Sequence, residues 1–138
     1  MDNQIDLRQE LEFLENFISV SEKQLTTLAR GLEDYSRALS VMQDQNIEKS
    51  KDTLMSVGGG VFIRGSVSPD SNTLVSIGSD IFIEESKENT ADRLKNLIEE
   101  IRKSFDGMNN QRAEALRRYE LIMSALNSKQ KEQNEDGA

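Results

Sequence analysis

Pairs of adjacent carboxylates such as Glu84-Glu85 and Glu99-Glu100, and one glycine run, Gly58-Gly59-Gly60, are residue types suited to chemistry in this sequence. Paired carboxylates act as general acid and base when they converge on one pocket. Adjacent residues of a strand point to opposite faces, and adjacent residues of a helix also diverge, so neither pair converges. A glycine run cradles phosphate when Gly-Lys-Ser or Gly-Lys-Thr closes it and a helix begins there. Here Val61-Phe62-Ile63 follows, and the run predicts a hairpin turn instead. The 138 residues include no Cys and no His. Thiol nucleophiles, imidazole bases, disulfides, zinc–thiolate sites and haem–His ligation are thereby excluded. No metal, no cofactor and no catalytic residue are expected.

Composition points the same way. Hydrophobic residues make up 36% and charged residues 30%, with no Trp and a single Pro. That suits long solvated helices burying a narrow stripe better than a compact globule. The net charge is −8, and Lys and Arg are dispersed, so no basic stripe exists to neutralise phosphates and nucleic acid is not an expected partner. No run approaches the ~20 apolar residues of a membrane span. Met1-Asp2-Asn3-Gln4 does not open a secretory signal, and the expected address is cytoplasmic.

The elements that would position any working surface are plainer. Leu54 to Arg64 is echoed by Leu74 to Glu84, an offset of 20 residues. Each copy reads as a β-branched run, a glycine break and a second such run, which predicts a hairpin. Strands are expected at Thr53–Val57, Val61–Val67, Thr73–Ile77 and Ile81–Glu85, with a turn at Ser68-Pro69-Asp70-Ser71-Asn72 between the hairpins. Val61, Ile63, Gly65 and Val67 alternate with Phe62, Arg64 and Ser66, so apolar residues occur on both faces. Four short strands do not bury two apolar faces alone, and free edges need a cover. Contact with other subunits is therefore expected through Val57, Val61, Phe62, Ile63, Val75, Ile77, Ile81, Phe82 and Ile83.

Two heptad seams flank the hairpins. Leu7, Leu11, Leu14, Ile18, Ser21, Leu25, Leu28, Leu32, Tyr35, Leu39 and Met42 step by 4 and 3 without a slip. Ala91, Leu94, Ile98, Ile101, Phe105, Met108, Arg112, Ala115, Tyr119, Ile122, Leu126 and Lys129 do the same. A sustained 3.5-residue period predicts a left-handed coiled coil. Asp2 or Asn3 is suited to cap the first helix, and Ser86 or Thr90 the second. Gly31 reads as a tolerated surface glycine. An antiparallel register that sets Met42 against Ala91 and Leu28 against Phe105 also sets Ser21 against Arg112 and Gln4 against Lys129. It thereby matches the polar interruptions of the two seams.

Some large apolar residues belong to neither seam. Ile5, Phe13, Phe17, Val20, Leu116, Leu121 and Met123 gather, in that register, at the end of the coil far from the hairpins. Such surplus marks an interaction surface. The expected fold class is α+β, a long antiparallel two-helix coiled coil with two central β-hairpins. One domain over 1–138 is expected, with the first helix within 1–47, hairpins over 53–86, the second helix over 88–130 and a frayed tail at 131–138.

The repeated segments Ser56-Val57-Gly58-Gly59-Gly60-Val61-Phe62-Ile63 and Ser76-Ile77-Gly78-Ser79-Asp80-Ile81-Phe82-Ile83 resemble the strand motif of the prefoldin family. Helix, two hairpins and helix together resemble its archaeal α-type subunits over nearly the whole chain. Ser56, where many relatives carry proline, and Asp80 depart from the motif. The resemblance implies a hexamer of two α-type and four β-type subunits whose hairpins assemble into an intersubunit β-barrel platform. It implies a chaperone that works without ATP, holding non-native protein between coiled-coil tips and passing it to a group II chaperonin. The alternative is a scaffolding coiled coil that binds one defined partner.

Overall fold

The computed structural model describes residues 2–44, 52–68 and 71–137. Its elements are α1 (Asp2–Gln43), β1 (Thr53–Gly58), β2 (Val61–Gly65), β3 (Thr73–Gly78), β4 (Ile81–Glu85) and α2 (Lys87–Asp136). Pro69 and Asp70 of the turn expected between the hairpins lie outside the described residues. The capping expected of Asp2 or Asn3 lies outside the described side chains. For α2 the cap is Ser86: its Oγ accepts the Asn89 N–H at 3.2 Å. Glu88 in the first turn suits the positive end of the helix dipole. The helix does not stop near 130 but continues to Asp136. Lys129 through Glu135 are mostly good helix formers, and no breaker occurs before Gly137. The Gly137 N–H donates to the Gln133 carbonyl at 3.1 Å.

Heptad spacing becomes burial. Every α1 seam residue from Leu7 to Met42 is buried or half-buried except Tyr35, at 37% exposure. Every α2 seam residue from Ala91 to Lys129 is buried or half-buried. The chain divides into two units, Met1–Gly31 with Ile101–Ala138, and Leu32–Glu100. In the first, the coil unit, Leu14, Ala115 and Ile122 form a core against which Leu7, Leu11, Phe17, Ile18, Tyr119 and Leu126 pack. Ser21 is as buried as Ile122, at 2% exposure. Gly31 lies against α2 rather than on the open surface. It is half-buried, and a Cβ there would stand 3.6 Å from Ile101 Cδ1, an ordinary contact.

In the second, the hairpin unit, Leu94 and Ile98 are buried. The strands form two separate two-stranded antiparallel sheets, β1 with β2 and β3 with β4. The registers correspond: Ser56 pairs with Phe62 and Gly58 with Val61, while Ser76 pairs with Phe82 and Gly78 with Ile81. Val57 and Ile77 are thus bulged out of the ladder, an extra residue that simple alternation does not foresee. The loops are two residues long. Gly59 and Gly60 take φ of 60° and 74°, and Ser79 and Asp80 take 52° and 60°. Left-handed φ at both central positions is what a type I′ hairpin turn requires. β2 ends at Gly65 rather than Val67, because its partner Thr53 is the first residue of β1.

Candidate functional site

Three polar contacts tie the helices together in the coil unit. The Arg118 guanidinium donates to both Glu10 carboxylate oxygens, at 2.7 and 3.1 Å. The Tyr119 hydroxyl donates to Glu15 at 3.0 Å. Arg112 donates from Nε and a terminal nitrogen to Glu22, at 3.3 and 3.2 Å. The hydrogen bond from Arg118 holds the Glu10 carboxyl below the usual glutamate value, with partial desolvation opposing and the Arg118 charge assisting. The same hydrogen bond raises Arg118. Donation to Glu15 raises the Tyr119 hydroxyl. Arg112 thus reaches Glu22, the residue after the buried Ser21, and its side chain stays 32% exposed.

The surplus apolar residues separate into two groups. Ile5 (57%), Phe13 (68%), Val20 (46%), Leu121 (66%) and Met123 (37%) are exposed. Phe17 and Leu116 are half-buried, and Phe17 packs on the Leu14–Ala115–Ile122 core. The two phenylalanines stack, ring centres 6.4 Å apart and planes 22° apart, so the seated Phe17 supports the exposed Phe13. All seven belong to the coil unit.

The hairpin unit carries a second apolar surface. Val57, Val61, Phe62, Ile63, Ile77, Ile81 and Phe82 are each more than half exposed, whereas Val75 and Ile83 are half-buried. Val75 lines a groove of about 380 Å³ with Tyr35, Met42, Leu94 and Leu97. Leu54 (63%) and Leu74 (64%) belong to the exposed set as well. Their place at the start of each repeat, pairing with Arg64 and Glu84 on the face that also carries Phe62 and Phe82, was the signal that could have found them.

One hairpin is locked to α2 by contacts that local sequence does not announce. The Thr90 hydroxyl donates to that of Thr73 at 3.0 Å. Glu85, with a 9% exposed side chain, sits beside Arg93. Its Oε1 makes no well-aligned hydrogen bond, so the contact is an ion pair by distance alone. Glu84 on the opposite face is exposed, and the adjacent carboxylates do diverge. Among the described residues no cluster of Asp and Glu could hold a metal ion, and no helix is long and apolar enough to cross a membrane.

A family model described as prefoldin subunit matches residues 6–132. The chain belongs to the prefoldin family, and so is a subunit of the prefoldin chaperone type, with that family's two long helices and two central hairpins. It is 28% identical over 117 residues to the prefoldin subunit alpha of Thermoplasma acidophilum, covering 85% of this chain and 90% of that protein. The prefoldin subunit alpha of Thermoplasma volcanium is 28% identical over 90 residues, covering 65% of this chain and 69% of that protein. A solved filamentous PFD from Methanocaldococcus jannaschii aligns at a TM-score of 0.46 and 17% identity, over 90% of this chain and 98% of its own.

Proposed function

We propose that this chain is an α-type subunit of a holding chaperone that works without ATP. Ile5, Phe13, Phe17, Val20, Leu116, Leu121 and Met123 bind non-native protein, which the assembly passes to a group II chaperonin. The observation that carries this is the exposure of Phe13, Ile5 and Leu121 beside a seam that is otherwise covered. Burying such a side chain in a client gains about 1.5–3 kcal/mol. Several weak contacts on linked arms add up to useful retention.

Through their exposed faces, the hairpins join β-type prefoldin subunits in a hexamer of two α-type and four β-type chains. The intersubunit barrel leaves no apolar strand face in water. No nucleotide, metal or nucleic acid takes part, and the assembly works in the cytoplasm. Deleting 1–20 and 113–138, or replacing Phe13, Val20 and Leu121 together with Ser, is expected to leave assembly intact. Both changes are expected to abolish suppression of client aggregation. Suppression that survives both would overturn the assignment.

A further inference from the structure

The two hairpins share a sequence pattern but are covered differently. In the second, Thr73, Val75, Ile83 and Glu85 are half-buried, while Leu74, Ser76, Phe82 and Glu84 between them are exposed. That alternation is one covered face and one open face. The same face of the first hairpin pairs Thr53 with Gly65 and Met55 with Ile63, as the second pairs Thr73 with Glu85 and Val75 with Ile83. There Met55 and Ile63 are exposed, and Gly65 stands where the second hairpin has Glu85. Two adjacent contacts hold the covered face. The Thr90 hydroxyl, in a residue only 6% exposed, donates to that of Thr73 at 3.0 Å. The Glu85 side chain, 9% exposed, lies beside Arg93. Thr73 and Glu85 are cross-strand partners, and Thr90 and Arg93 are neighbours on one face of α2. One contact would leave the hairpin free to pivot on the helix, whereas two side by side fix its angle.

We propose that Arg93 and Glu85 are positioning residues for assembly: their pairing sets the second hairpin on α2 so that Leu74 and Phe82 face outward to partner subunits. A buried carboxylate that loses its cation is costly. Without Arg93 the hairpin turns Glu85 towards water, and the open face moves with it, because successive strand side chains point to opposite faces. Fixing the angle in advance lowers what association must spend on ordering the strands. The first hairpin has no such contact at this position, since Gly65 carries no side chain. The proposal rests on the hairpins being assembly elements; it adds which of them is set in advance and by which residues.

Hydrogen exchange of the full chain, and sedimentation of the chain mixed with archaeal β-type prefoldin subunits, test the two halves of this. Arg93→Ala is expected to speed amide exchange over 73–85 about tenfold, to leave 53–65 as in wild type, and to weaken association about tenfold. R93K keeps the cation and is expected to stay within about threefold of wild type in both readouts. E85A/R93A strands no buried charge and is expected to lose less than R93A in both, whereas simple loss of packing would make the double variant the worse one. Unchanged exchange over 73–85 in R93A would overturn the proposal. So would faster exchange with undiminished association, or a double variant that loses more than R93A. In each of these the hairpins keep their role in assembly, because the wild type still joins β-type subunits. A wild-type chain that joins no such complex removes that role, and this proposal with it.

Discussion

At the scale of single residues, the coil is held by a few directed contacts over a generic apolar stripe. The Arg118–Glu10 pair is the best formed, with two hydrogen bonds to one carboxylate. Its consequence is a sign in the pH dependence. Glu10 titrates lower in the folded chain than in the unfolded one, so its favourable contribution is full above the unfolded value. That contribution is lost as pH falls through the folded value. A carbon-detected NMR titration should place the Glu10 midpoint below that of an ordinary glutamate, and Arg118→Ala should return it to the ordinary range. Tyr119 has the opposite sense. Its raised hydroxyl favours folding below the usual tyrosine value, a contribution lost as pH rises through the folded one. None of this was legible in the sequence. Glu10 and Arg118 lie 108 positions apart, off both seams, and no local period couples them. Ser21 and Arg112 were legible as polar breaks in two apolar repeats. That Arg112 would turn out to Glu22 depends on side-chain reach, which spacing does not encode.

At the scale of elements, the two helices were legible because a 3.5-residue repeat held over many turns admits few other structures. The hairpins were legible because their pattern occurs twice. Less visible were the bulges at Val57 and Ile77, where the chain inserts one residue without changing its apolar character. Also less visible was the locking of Thr73 and Glu85 onto α2, a long-range contact that no local period encodes. The apolar residues outside the seam were legible as a set, but not which were seated. Phe17 and Phe13 are four apart in one helix, yet one packs on the core and the other projects into solvent. Gly31 is one place where an element carries an avoidable cost. It is helical, and an added methyl would meet Ile101 at ordinary contact distance. Replacing Gly31 with Ala should raise stability by about 1 kcal/mol through helix propensity and a stiffer unfolded chain. Thermal unfolding followed by circular dichroism would register this as a higher midpoint. A lower midpoint would show that the glycine serves a conformation alanine does not allow.

At the scale of the molecule, the proposed function rests on two exposed apolar surfaces. One is on the coil unit, led by Phe13 and Leu121; the other is on the hairpin unit, led by Leu54, Phe62, Leu74 and Phe82. A monomer that leaves both in water invites aggregation, so one of them is expected to be covered permanently and the other intermittently. The hairpins suit the permanent role, since strands with free edges and two apolar faces are satisfied by other strands. The coil residues suit the intermittent one, because exposed Phe, Leu and Met side chains adapt to partners of many shapes. The most direct test of this division is the native mass of the full chain mixed with archaeal β-type prefoldin subunits. Assembly through the hairpins predicts a hexamer with two copies of this chain and four of the partner. A mixture in which this chain enters no complex would contradict it.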